Sequence, residues 1–87
     1  MKGTEKQVKW AEDIIAGARD ILAQMISQNE ERAAELGAAM YAARAEQWKK
    51  LSAQVEAAIE KCDDAAIIIN KRNMFSFDGL RKWADRM

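Results

Sequence analysis

The chain has 87 residues, 14 basic and 14 acidic side chains, no histidine, no proline and one cysteine. This bounds it to one small domain, 1–87, whose core is only modestly stabilising on its own. Zero net charge gives no overall signal for nucleic acid or membrane, and without histidine no Ser/His, Cys/His or imidazole-based metal set can be assembled.

The first predicted helix opens at Thr4. Thr4 followed three residues later by Gln7 is a capping box, in which each side chain satisfies a free backbone amide at the other's position. Val8, Ala11, Ile15, Ala18, Leu22 and Met25 then recur at alternating spacings of three and four, a heptad seam. Ile14, Ile21 and Ile26 widen the stripe towards two neighbours. Gly17 within it costs about 1 kcal/mol against alanine; it either admits a close-crossing partner or is tolerated. Trp10 lies off the seam, about 40° from Ile14 around the helix. There it is expected to pack on a returning C-terminal helix and bring the two basic ends of the chain together.

Ser27 with Glu30 resembles a second capping box, and Gln28 and Asn29 interrupt the apolar pattern. A break is predicted here, with a second helix from about residue 28 to Cys62. A helix from Ser27 to Cys62 would be roughly 50 Å long, with a kink or break at Gly37 as the alternative. Leu36, Met40 and Ala43, then Trp48, Leu51, Val55, Ala58 and Cys62, trace its seam with one stutter near Arg44. Tyr41, Ala45, Trp48, Val55 and Ile59 form a second track. A helix this long with two apolar tracks outreaches the remaining segments, so self-association, as a dimer in the simplest case, is expected to cover it.

Asp63 and Asp64 suit the start of a third helix, predicted from about Asp64 to Asn73. Its Ile67-Ile68-Ile69 run has β-propensity, but no other segment offers a strand to pair with it. A last short helix begins after Ser76, with Phe75 and Leu80 placed as a hydrophobic staple. The fold class is therefore all-α: a long antiparallel helical hairpin followed by one or two short C-terminal helices.

No catalytic, cofactor-binding or metal-binding set emerges. Glu56 and Glu60, one helical turn apart, read as a solvated acidic face, because a di-metal site on helices would add Glu-x-x-His pairs. Cys62 shares a face with Val55 and Ile59, as a buried thiol does. Charge is distributed unevenly: residues 11–64 hold eleven acids and six bases, whereas both ends are basic. The opening MKGTEKQVKWAED is too charged for a secretory signal, and no run approaches the ~20 apolar residues of a membrane span. A cytoplasmic protein without membrane contact is expected.

The C-terminal segment interleaves Lys71, Arg72, Arg81 and Lys82 with Phe75, Phe77 and Trp83. With Trp10, these are the residues expected to bind a partner. Aromatic and basic side chains anchor protein interfaces, and the same set could neutralise phosphates and stack on bases. Phe75, Leu80 and Trp83 also suit the closing of a core. A purely structural oligomer, or a small-ligand pocket between protomers, is compatible with the same residues.

Two stretches resemble a known group of sequences. Thr4-Glu5-Lys6-Gln7-Val8-Lys9-Trp10-Ala11-Glu12-Asp13-Ile14 is similar to the EKQ-x-x-W-A-x-x-I opening of small uncharacterised proteins of bacteria and their phages or mobile elements. Ile67-Ile68-Ile69-Asn70-Lys71-Arg72 resembles their W-W-I-D-x-R segment, with isoleucines for both tryptophans and Asn70 for the acid. The resemblance spans about twenty residues and carries no established biochemistry. It implies provenance, and with it an accessory or anti-defence factor that blocks or sequesters a host macromolecule. A host protein is the expected partner; nucleic acid, held by Lys6, Lys9 and the basic C-terminal segment, is the alternative.

Overall fold

A computed structural model describes residues 1–87. Four α-helices follow one another: α1 (Glu5–Leu36), α2 (Ala39–Lys61), α3 (Ala65–Asn70) and α4 (Phe77–Asp85), with a 3₁₀ turn, Arg72–Phe75, before α4. The two long helices pack as an antiparallel hairpin and the short elements fold back along it. The all-α hairpin expected from the sequence is the observed architecture.

The break between the long helices lies ten residues later than predicted. α1 runs through Ser27–Glu30 and ends at Gly37, which adopts φ +60° and donates its N–H to the Ala33 carbonyl at 2.9 Å. Glycine takes this left-handed conformation without the Cβ clash other residues meet, so the αL cap forms there. Asn29 does not interrupt the helix; its Nδ2 donates to the Met25 carbonyl one turn back, at 2.7 Å. At 32 residues, α1 and not the second helix is the long element. Its ~48 Å set the molecule's longest dimension, 49 Å.

The start of α1 is as predicted. Gln7 N–H donates to Thr4 Oγ1 at 3.2 Å and Thr4 N–H donates to Gln7 Oε1 at 3.1 Å. Ahead of it, Lys2 N–H donates to the Asp63 carbonyl and Ala65 N–H to the Lys2 carbonyl, stitching the N-terminal residues to the α2–α3 link.

Ala11, Ile15, Ala18 and Leu22 of the α1 seam are buried against Trp48, Leu51 and Val55 of α2. Ala65 and Ile68 of α3, Phe75, and Leu80 and Ala84 of α4 complete one core cluster. α2, α3, the 3₁₀ turn and α4 all pack on α1, with α4 beside Met25 and Gln28 in its second half. Most of the long helix is thus covered from within the chain. The hairpin tip is bare: Leu36 and Met40, expected on the second helix's seam, are 65% and 53% exposed. Across the hairpin, the Arg19 guanidinium grips Glu56 through two bonds, 2.7 and 2.9 Å long.

The three isoleucines are helical, but α3 stops at Asn70 rather than Asn73 and tightens into the 3₁₀ turn. Ser76 then caps α4: its Oγ accepts from Gly79 N–H at 3.2 Å, while Phe75 and Leu80 are buried beside it as a staple. A Cβ on Gly79 would lie 2.0 Å from the Asn73 carbonyl oxygen and 2.7 Å from Met74 Cα. Only glycine lets α4 begin flush against the turn.

Candidate functional site

Two amides of α2 fix where α4 docks. Gln47 Nε2 donates to the Ala84 carbonyl at 2.6 Å, and Gln54 Oε1 accepts from Trp83 Nε1 at 3.0 Å. The first adds a side-chain donor to a last-turn carbonyl that also accepts from Met87 N–H at 3.2 Å. With Leu80 and Ala84 inward, α4 presents two flanks. Lys82 and Trp83 lie on one, towards Gln54; Phe77 and Arg81 lie on the other, towards Met25 and Gln28 of α1.

The residues expected to form one binding face are therefore divided. Phe75 leaves the set: it is 8% exposed and part of the core, because its place ahead of the Ser76 cap directs it onto Leu80. Trp10 does not meet the C-terminal helix. It meets Arg72 of the 3₁₀ turn, whose guanidinium carbon lies 5.6 Å from the ring centroid, a cation–π arrangement. Arg72 is aimed by a second bond, from Nη1 to the Ile69 carbonyl at 2.9 Å. Lys6 and Lys9 flank Trp10 on α1, and Lys71 adjoins Arg72, so basic residues from both ends of the chain share this end of the molecule.

On the α2 side of the same end, α2, α3, the 3₁₀ turn and α4 leave an apolar groove of about 110 Å³. Ile68 and Phe75 form its floor, Ala58, Ile59 and Cys62 one wall, and Ile67, Met74 and Trp83 the rest. Lys71 is the one charged residue in the lining. Ile67 is 45% exposed and Met74 44%. Successive helical residues point about 100° apart, so α3, in burying Ile68 and Ile69, must turn Ile67 outward. The Cys62 thiol sits in the wall, half-buried, with its sulfur 3.6 Å from the Asp64 carbonyl oxygen.

Beyond Met74 and Trp83 the groove opens into a shallow polar trough of about 750 Å³ containing Asp78, Lys82 and Arg86. An apolar notch with a polar apron is the anatomy of a protein-docking surface, with an anchoring side chain at the centre and solvated charges around it. No family model matches the chain, and no curated protein or solved structure matches it. No helix is long and apolar enough to cross a membrane.

Ile67 was not among the residues expected from the sequence to bind a partner, whereas Met74, beside the C-terminal aromatics, was a candidate anchor. A signal was present, since three consecutive isoleucines on a six-residue helix cannot all face one core. Its meaning depends on which of them the hairpin buries.

Proposed function

We propose that this chain is a non-catalytic binding protein that receives an apolar anchor side chain of a protein partner in the groove between α2, α3, the 3₁₀ turn and α4. The observation that carries this is the pairing of exposed Ile67 and Met74 around an apolar notch with a single charged residue in its lining. Burying such side chains in a complex is worth about 25 cal/mol per Å² of apolar surface removed from water. The resemblance of the opening and of Ile67–Arg72 to small phage or mobile-element proteins gives the sharpest form of the proposal: a cytoplasmic accessory or anti-defence factor that occludes a host protein. Nucleic acid ranks second, because Arg72 already occupies a face of the Trp10 ring that would otherwise stack on a base. Self-association belongs to the same proposal, with the bare Leu36 and Met40 at the hairpin tip as the contact between copies.

The test is affinity capture from a nuclease-treated bacterial lysate, using wild type, Ile67→Asp and Met74→Asp. One protein retained by wild type and lost by both variants, with their helicity intact, is the expected result. Equal retention by all three would refute the groove. Retention that nuclease abolishes would transfer the assignment to nucleic acid and the basic end. For self-association, sedimentation should show a larger species that Met40→Asp dissociates; a wild-type monomer at all concentrations would dismiss the tip contact.

A further inference from the structure

The other flank of α4 carries a second concavity, of about 310 Å³, closed by α1 and α2. Three arginines line it: Arg32 from the end of α1, Arg44 from α2 and Arg81 from α4. None lies within 4.0 Å of a carboxylate; the ion pairs of the molecule are Met1–Asp63, Arg19–Glu56, Lys49–Glu30 and Lys49–Glu46. Asp85 is the one acid in the lining, leaving two uncompensated positive charges around a single cavity. Residues 11–64 hold eleven acids against six bases, so this convergence runs against the charge of the body that surrounds it.

The surroundings orient Arg32 without neutralising it. Arg32 lies over the Tyr41 ring, 5.8 Å from its centroid, a contact that holds the guanidinium plane and preserves its charge. Asn29, in the same lining, is only 6% exposed. Its Nδ2 is committed to the Met25 carbonyl, and its Oδ1 accepts no hydrogen bond from the chain. Phe77 contributes an exposed ring beside Arg81.

We propose that this concavity is an anion site for a small phosphorylated molecule. Guanidinium forks match phosphate oxygens in pairs, and three of them around one hollow give that charge both affinity and orientation. Asn29 Oδ1 and Asp85 are acceptors for hydroxyl or amine donors on the rest of the ligand, and Phe77 is an apolar wall for its body. The volume lies at the lower end of the ~300–1,000 Å³ of small-molecule pockets, which suits a compact phosphorylated ligand. This assignment is independent of the docking groove on the opposite flank of α4.

Isothermal titration with inorganic pyrophosphate, at constant ionic strength, tests it on the full chain. Saturable one-to-one binding is expected, weakened at least tenfold by Arg44→Gln and by Arg81→Gln, each with unchanged helicity by circular dichroism. Lys61→Gln, the same charge change at the far end of α2, should bind as wild type does. Absence of saturable binding to wild type overturns the proposal. So does an equal loss in Lys61→Gln, which would reduce the effect to overall charge.

Discussion

Arg72 and Trp10, sixty-two positions apart in sequence, meet with the guanidinium 5.6 Å from the ring centroid. Their contact joins the first helix to the turn that introduces the last. It also explains why an aromatic residue off the apolar seam of α1 is present near its start: it is a seat for a cation from the C-terminal segment. Lys6 and Lys9 of the first helix share one end of the molecule with Lys71 and Arg72 through this pair.

Trp10→Ala should therefore lower stability. A cation–π pair at an exposed site contributes about 0.5–1 kcal/mol, which in a domain of this size corresponds to a fall in Tm of about 2–8 °C. Thermal unfolding by circular dichroism measures it. An unchanged Tm would mean that Trp10 and Arg72 hold nothing together.

Gly79→Ala should destabilise despite alanine's advantage of about 1 kcal/mol in a helix. The added methyl meets backbone atoms of Asn73 and Met74, which cannot rotate away as a side chain could. Displacing the 3₁₀ turn from α4 is expected to cost about 1–3 kcal/mol net, in the range of other overpacked sites. Urea denaturation of the variant gives the number.

Gly17→Ala should act in the opposite direction. Gly17 is exposed on α1, and a Cβ there would touch nothing within 4 Å. The substitution is expected to stabilise the chain by about 0.5–1 kcal/mol through the helix backbone alone. A loss of stability or of self-association would reveal a second helix crossing α1 at this point.

The Arg19–Glu56 clamp carries a pH dependence. The Arg19 hydrogen bonds hold the Glu56 carboxyl below its ordinary value of 4.5, and the carboxylate in turn raises the already high Arg19 pKa. A depressed folded-state pKa contributes stability above the unfolded value and loses it as pH falls through the folded one. Both side chains are about half exposed, and solvent screening keeps the contribution below about 1 kcal/mol. Wild type should exceed Glu56→Gln in urea stability at pH 7, and the gap should close as pH falls below 4.5. A gap that persisted in acid would have another origin.

Local signals in the sequence located the helix starts well, because a cap is written in residues three or four apart. Thr4 with Gln7, and Phe75, Ser76 and Leu80, formed as their spacing implied. So did the buried face Ala11, Ile15, Ala18 and Leu22. Ser27 with Glu30 misled for the same reason: it has the spacing of a cap, but strong helix formers on both sides carry α1 past it to the first glycine able to turn left. The binding residues were harder to read. Phe75 could not both staple α4 and face a partner, and packing decided in favour of the staple. Arg32, Arg44 and Arg81 belong to three different helices, and nothing local to any of them shows that α4 will bring them around one cavity. That placement comes from Gln47 and Gln54, two side chains of α2 that reach across to α4.

The short elements have a further consequence for the order of events in folding. Isolated helices shorter than ~12–15 residues are marginal in water, and α3 has six residues and α4 nine. Their order is lent by the hairpin, whose own helices are long and joined by a two-residue link. The hairpin can assemble from contacts near in sequence; the Lys2 stitch to Asp63 and Ala65 closes a loop of some sixty residues and forms late. Both the apolar groove and the arginine cavity use residues of the late segment. In hydrogen exchange, amides of residues 65–85 should open well before those of residues 11–22 and 48–55. A ligand or partner engaging either surface would then slow exchange in the last quarter of the chain, where the free protein protects its amides least.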